Sequence, residues 1–303
     1  MIGYFSRQAR YARNGNSGQA TALFLVVSCT LMAMVFVSIA VHNAAVARVS
    51  CTNAVDAIAL NAATWEARCL NLIAALNDGV TQCLRVIRWI CVVWAALAIA
   101  AAFGVGIPAF LEYTRTARKL ISGYWKTAHL LAAWSEKIHK AAPYLVLGET
   151  VALAKKRNVL GVLYPLNPMG PHDGKNTLEL HLEPGPPIHL SDAMAPISSA
   201  LKRLRKIHFL KGAAKKVASL LGGALDALLG GGKGPIRMLV PEKDFSQRQF
   251  VRFTGSQTVP HLPIPLLGKP KNDRVFAASE AEPYGGGTAA MTWKSRLTER
   301  RAK

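Results

Sequence analysis

The N-terminal part of the chain contains two long stretches without charged residues. The first runs from Ala20 to Val41 and the second covers residues 89–111, and apolar side chains dominate both. A membrane-spanning helix needs roughly 20 apolar residues, whereas the core of a cleaved signal peptide has about 7–15. The pattern predicts a basic leader over residues 1–18, a retained transmembrane helix over residues 19–42 and a second one over residues 89–111. For the second stretch, a buried helix of a soluble protein is the alternative.

The segment between these stretches, residues 43–88, has a helical pattern rich in alanine. Small residues recur there at helical spacing, which allows close packing of helices, and no proline occurs before Pro108. We expect the first helix to continue into this segment as far as residues 76–79, where a glycine after asparagine and aspartate marks the predicted break. The small residues also suit packing against a second copy in a homo-oligomer.

Beyond residue 111 the pattern changes to that of a soluble region. A basic helical segment is predicted over residues 112–160, and prolines and glycines divide residues 161–303 into short elements. Alternating leucines predict a half-buried strand over residues 176–184, and further strands are expected over residues 250–254 and 275–283. The expected fold is a mainly α membrane protein. Its long N-terminal transmembrane helix continues into an alanine-rich helix, a second transmembrane helix follows, and a small α+β region ends the chain.

The formal net charge of +20 calls for an anionic partner or surface. A basic amphipathic helix is predicted near residues 197–229, and helices of this kind typically lie on anionic lipid. A solvated helix face is the alternative, and nucleic acid is less favoured because few aromatic side chains are interleaved for base stacking. The residues expected to bind the anionic surface are Lys202, Arg203, Arg205, Lys206, Lys211, Lys215 and Lys216.

The sequence carries no recognisable catalytic motif. It lacks a Gly-x-Ser-x-Gly elbow, a phosphate-binding loop and a His-Glu-x-x-His pair. Its 5 cysteines lie in the first 91 residues without a Cys-x-x-Cys pattern, so apolar packing is their expected role and an intermolecular disulfide the alternative. His181 and Glu183 share a strand face, but spacing places no third ligand beside them. The sequence therefore predicts no enzyme activity, no cofactor and no metal site.

A family resemblance rests on the order of motifs around the first apolar helix. A Gly-Gln pair follows the basic leader, and the apolar helix leads into "VAR" and then "NAVDAIAL". Over residues 15–70 this order resembles the N-terminal segment of TadE/TadG-like Flp pilus-assembly proteins. The stretch "PYGGGTAAMTWKSRL" also resembles the Trp-x-x-Arg-Leu ending of some of these proteins. The resemblance marks these residues for helix packing and polar contacts: Gly18, Gln19, Arg48, Asn53 and Asp56.

The resemblance implies a non-enzymatic structural or assembly component of a Flp-type (tight adherence) pilus system in the bacterial inner membrane. Its implied partners are inner-membrane lipid and other pilus-assembly components or pilins. Leu23 stands where the pseudopilin branch of the family carries a glutamate, which favours the uncut, anchored branch over a filament subunit. The alternative function is a membrane-anchored protein that binds anionic lipid or nucleic acid through residues 202–216.

The distribution of charge predicts the orientation in the membrane. Arg7, Arg10 and Arg13 hold the N-terminus in the cytoplasm, because basic residues are retained on that side. With two spans, charge favours a cytoplasmic C-terminal region, whereas the family resemblance implies an extracytoplasmic one.

Overall fold

A long helical hairpin dominates the fold. The computed structural model describes residues 2–102, 104–165, 178–192, 234–243, 245–258 and 274–298. Helix α1, Ile2–Ala102, has a length of about 150 Å at about 1.5 Å per residue. Helix α2, Ile107–Lys156, runs back along it. Near the turn, Trp94 Nε1 of α1 donates a hydrogen bond to Thr114 Oγ1 of α2 at 2.9 Å.

The turn of this hairpin lies inside the stretch predicted to be a second transmembrane helix, and that prediction is wrong. Residues 89–102 end α1, and residues 107–111 begin α2. Between them, Gly104 (φ 85°) and Gly106 (φ 74°) adopt a left-handed backbone that glycine reaches without the steric cost of a Cβ. Pro108 then suits the first turn of α2. Among the described residues, one helix is long and apolar enough to cross a membrane, Gln19–Ala101.

The helix break predicted at residues 76–79 is also wrong, because α1 continues through them. Gly79 faces α2, where an added Cβ would lie 3.0 Å from Cδ1 of Leu131. The glycine thus allows the two helices to approach closely instead of ending one of them.

Short strands from the second half of the chain cover one side of α1. The described elements after α2 are β1 (Leu160–Tyr164), β2 (Leu182–Pro184), β3 (Leu239–Pro241), helix α3 (Phe245–Arg248), β4 (Val251–Thr258), β5 (Arg274–Tyr284) and β6 (Lys294–Leu297). An antiparallel sheet has the order β1-β4-β5-β6, and β2 pairs with β3 in a separate antiparallel ribbon.

Strands β4 and β5 confirm the strands expected over residues 250–254 and 275–283. Over residues 176–184 the alternating burial is confirmed, since Leu178, Leu180 and Leu182 are all buried. Within the described part of that stretch, however, the strand itself is limited to β2. The predicted basic amphipathic helix near residues 197–229 lies outside the described residues.

Three apolar cores follow one another along α1. Residues 51–63 of α1 pack against β4 and β5, residues 67–73 pack around the ribbon and Trp293, and residues 80–101 pack mainly against α2. The buried positions of β5 carry only compact side chains, Ala277, Ser279, Ala281 and Pro283. Because these side chains are short, the sheet lies close against the alanine-rich surface of α1. The fold is therefore mainly helical with a small sheet region, and α1 is its central element.

Candidate functional site

The first candidate site is residues 19–46 of α1, which no other described part of the protein covers and which we call the bare segment. Its large apolar side chains are exposed on all sides of the helix, from 39% for Ile39 to 72% for Phe24. The most apolar 18-residue window of the helix has none of its residues buried. Thr30 and Ser38 donate their hydroxyls to the carbonyls of Val26 and Met34, so these polar groups are satisfied within the helix. The bare segment is a candidate membrane span.

The bare segment gives way to packed helix within one turn. Ala47 is the first buried residue of the described helix, and Cys51, Val55 and Ile58 continue a fully buried stripe at intervals of four, four and three residues. This spacing keeps the stripe on one face of α1, where the sheet covers it. The boundary between the two halves of α1 therefore lies close to residue 47.

The five residues marked by the family resemblance form two separate groups. Gly18 and Gln19 lie at the N-terminal end of the bare segment, while Arg48, Asn53 and Asp56 lie just beyond its other end. About 45 Å of helix separates Gln19 from Arg48 at about 1.5 Å per residue. The fold does not bring the two groups together within one chain, so a contact between them requires a neighbouring chain.

The second group lines two open grooves at the boundary. A groove of about 820 Å³ lies between α1 and the end of α2 and includes His42, Asn53, Lys156, Arg157 and Gln257. Its cationic side chains make it suited to anionic groups.

A second groove, of about 340 Å³, lies between α1 and the outer strands. Arg48 and Asp56 line it together with Glu280 of β5. Arg48 is exposed and Asp56 half-exposed. These motif residues are therefore available for polar contacts with another molecule.

Two asparagines on α1 hold the C-terminal elements in place. Asn71 accepts a hydrogen bond from the backbone N–H of Trp293 at 3.0 Å and donates its Nδ2 to the carbonyl of the same residue at 3.0 Å. Asn77 donates its Nδ2 to the carbonyls of Leu239 and Thr288, each at 2.8 Å. Because the carbonyl of Leu239 lies in the core, losing the Asn77 donor would leave this buried acceptor unpaired.

The glycines and the tryptophan of the C-terminal "GGGTAAMTW" stretch have a packing explanation. The indole of Trp293 lies against Gly286, where any Cβ would overlap the ring. Trp293 also packs on Phe245 with their ring centroids 4.9 Å apart. The Trp-x-x-Arg-Leu ending thus closes the core over α1, and Arg296 pairs with Glu282 of the neighbouring strand at 2.6 Å.

A buried carboxyl group, Glu66, lies on the same helix. Its residue is 1% exposed, and burial raises the pKa of Glu66 to about 8, against the opposing effect of a hydrogen bond from the side chain of Gln249. Gln249 in turn accepts the backbone N–H of His181 at 2.9 Å. Glu66 is therefore an uncharged acid at neutral pH, and it lines neither of the two grooves.

The candidate ligand residues and the cysteines do not gather into a site. Within the described ranges, no three His, Cys, Asp or Glu side chains are placed to hold a metal ion. His181 lies 3.8 Å from Glu242, and Arg248 pairs with the same carboxylate at 3.1 Å. Cys29 is exposed on the bare segment, whereas the other four cysteines are buried and free, as expected for apolar packing.

The site residues that sequence reasoning missed are Glu66, Asn71, Asn77 and Gly286. Only the asparagines left a signal, since amide side chains are unusual on an otherwise apolar helix face. The basic residues between 202 and 216 lie outside the described part of the chain. Comparison with family models, with curated proteins and with solved structures finds no match for this chain.

Proposed function

We propose that this protein is a non-enzymatic, membrane-anchored structural component that helps to assemble a Flp-type (tight adherence) pilus in the bacterial inner membrane. One observation carries the proposal: α1 is a single helix whose residues 19–46 expose apolar side chains on every side and whose part from residue 47 onward is the central element of a folded head. A helix built in this way joins a membrane anchor directly to a head. Its work is packing and contact, in agreement with the family resemblance of residues 15–70.

The proposed orientation places the leader in the cytoplasm and the head outside. Arg7, Arg10 and Arg13 precede the bare segment and favour the cytoplasmic side. The preference for a cytoplasmic C-terminal region depended on a second span over residues 89–111. The hydroxyl oxygens of Thr64 and Ser295 lie 2.8 Å apart, so a residue before the 89–111 stretch contacts a residue after it. This contact supports placing both parts of the chain in one compartment.

The motif residues at the boundary are the proposed contacts with other pilus-assembly components or pilins. Arg48 and Asp56 line the groove beside the sheet, and Asn53 lines the groove beside the end of α2. Oppositely charged groups in a shallow groove give specificity of contact more than affinity. The second copy of a homo-oligomer is an equally suitable neighbour for these grooves.

Deletion and complementation test this proposal. We expect a deletion strain to lose surface pili, wild-type protein to restore them, and the pair Arg48→Ala and Asp56→Ala to restore them poorly at normal protein levels. Lys137→Ala, at an exposed residue of α2 far from both grooves, is the matched control. Sheared pili are measured by immunoblot, and the protein is followed through inner-membrane fractionation. Normal piliation in the deletion strain would overturn the proposal.

The net charge of +20 supports a second candidate, a membrane-anchored protein that binds anionic lipid or nucleic acid through residues 202–216. Changing Lys202, Arg203, Arg205 and Lys206 to glutamine in the full chain should then weaken its binding to anionic vesicles, and salt should act in the same direction. Unchanged vesicle binding at low salt would remove this candidate.

A further inference from the structure

The turn of the α1–α2 hairpin exposes an apolar tip that the proposed pilus role does not use. Val105 is 68% exposed and Ile107 and Leu111 are 49% and 57% exposed, while Trp89, Val92 and Val93 are exposed on the α1 arm. A Cβ added at Gly104 or Gly106 would meet no described atom within 4 Å. The tip therefore points away from the rest of the described protein.

Cationic side chains surround the arms of the hairpin behind this tip. Between residues 79 and 135 the chain has a single acid, Glu112, and its basic residues are all exposed. The basic residues are Arg85, Arg88, Arg115, Arg118, Lys119 and Lys126. On the α2 arm Tyr113 lies between these cations and the tip, and such amphipathic rings favour the boundary between headgroups and acyl chains. An apolar end, an aromatic residue and then cations is the order that an anionic bilayer surface complements.

We propose that this hairpin tip inserts into the surface of a second, anionic bilayer, distinct from the bilayer that holds the bare segment. The depth of insertion follows from the charges. On the α2 arm the exposed Glu112 lies about 8 Å from Ile107 along the helix, so insertion is limited to that depth. Interfacial apolar surfaces are buried about 5–10 Å deep, whereas a span needs about 30 Å. The tip therefore dips into one leaflet and does not cross.

The length of α1 is the reason for a second bilayer. Sixty residues of uninterrupted helix separate residue 42 from Ala102, which is about 90 Å at about 1.5 Å per residue. The tip is therefore too far along the same helix to reach the bilayer that surrounds the bare segment. This inference needs the bare segment to be a membrane anchor but does not depend on a pilus role.

Local quenching by brominated lipid tests the proposal on the full chain. For this test the chain carries the substitutions Cys29→Ser and Val105→Cys, and the new cysteine at position 105 is labelled with an environment-sensitive dye. The four buried cysteines stay unlabelled under native conditions. The protein is held in nanodiscs of ordinary lipid, and vesicles rich in brominated anionic phosphatidylglycerol are added. Ser122→Cys, at an exposed position on α2 about 25 Å farther from the tip, is the matched control.

We expect the vesicles to quench the dye at position 105 and to leave the dye at position 122 unchanged. Changing Arg115 and Arg118 to glutamine should weaken vesicle binding by up to about fivefold per charge, since each basic group near an anionic surface contributes about 1 kcal/mol. The quenching at 105 should persist when Lys202, Arg203, Arg205 and Lys206 are glutamine.

Three outcomes would overturn the proposal. One is equal quenching at positions 105 and 122, which would mean non-specific adsorption. Another is a blue shift at 105 without quenching, which would mean that the tip docks on protein. The third is quenching at 105 only when the brominated lipid is in the nanodisc, which would mean that the tip folds back onto its own bilayer.

Discussion

Replacing Glu66 with glutamine should remove the fall in stability that the wild type shows between about pH 4.5 and about pH 8. The folded state keeps the Glu66 proton up to a pKa of about 8, whereas the unfolded chain releases it near the ordinary value of 4.5. In this window the folded state binds more protons, so the free energy of unfolding decreases as the pH rises. At about 1.36 kcal/mol per pH unit, the loss is at most about 5 kcal/mol across the window and about 3 kcal/mol by pH 7.

Denaturant unfolding of the full chain in detergent micelles measures this effect. Tryptophan fluorescence follows unfolding of the wild type, of Glu66→Gln and of the control Glu112→Gln, which changes an exposed glutamate of α2. Burial lowers the pKa of His181, so that residue makes stability rise with pH below about 6.5. The same contribution is present in all three proteins and cancels in their difference.

The expected result is a free energy of unfolding that falls with pH in the wild type and in Glu112→Gln, whereas in Glu66→Gln this fall is absent and the rise from His181 below about pH 6.5 remains. The variant should be the more stable protein at pH 8. Parallel pH profiles for the wild type and Glu66→Gln would show that Glu66 is already ionised in the folded state, and the argument from burial would be refuted.

Three further predictions concern packing, thiol exposure and processing. Gly255→Ala should destabilise the head by about 1–3 kcal/mol in thermal unfolding, since the new Cβ would lie 2.5 Å from Val159. Gly148→Ala, on the open face of α2, should instead stabilise it by about 0.5–1 kcal/mol, and the same sign for both would contradict the packing. Mass spectrometry after native maleimide treatment should find Cys29 modified and the four buried cysteines unmodified until denaturant is added; early labelling of any of the four would show an open core. N-terminal sequencing of the mature protein should find residues before Gln19, and a mature start at Gln19 would revive the filament-subunit interpretation.

The features that could be predicted from sequence are those with a strong local pattern. Twenty-two nearly wholly apolar residues from Ala20 to Val41 predict a long apolar helix, and they form part of α1 with their large apolar side chains exposed. Cysteines at intervals of 18, 14 and 8 residues between Cys51 and Cys91 stay on one side of a continuous helix, and all four are buried. Strands β4 and β5 followed from alternation of side chains. In each case the neighbours along the chain determine the outcome.

The features that could not be predicted depend on contacts between distant parts of the chain. Asn77 and Gly79 look like a helix stop because both residues favour turns. In the fold, β3 and the loop before β6 supply the carbonyls that Asn77 bonds, and Leu131 of α2 occupies the space beside Gly79. Tertiary packing therefore reverses the local preference. The turn at Gly104 was missed for the opposite reason, since glycine is tolerated in membrane helices.

The two parts of α1 differ in what stabilises them. This difference indicates whether the bare segment is exposed to water or covered by another apolar surface. From residue 47 onward the helix is stabilised by three cores, whereas the large apolar side chains between Leu23 and Val41 contact no core. Burying each such side chain is worth about 1.5–3 kcal/mol, so thirteen of them amount to about 20–40 kcal/mol. That exceeds the whole stability of a typical domain, about 5–15 kcal/mol.

An apolar surface of this size has to be covered, either by lipid or by neighbouring apolar helices in a filament. Packing in a filament would bring the leader end of one chain beside the bare segment of the next, and a carboxylate near Leu23 would then neutralise the N-terminus of the neighbour. Leu23 cannot do this, and in hydrocarbon an unpaired ammonium group is strongly disfavoured. Lipid makes no such demand, because in the proposed orientation Arg7, Arg10 and Arg13 would stay in water on the cytoplasmic side. The charge pattern therefore supports the proposal of a bilayer around the bare segment, and with it the proposed anchored assembly component over a filament subunit.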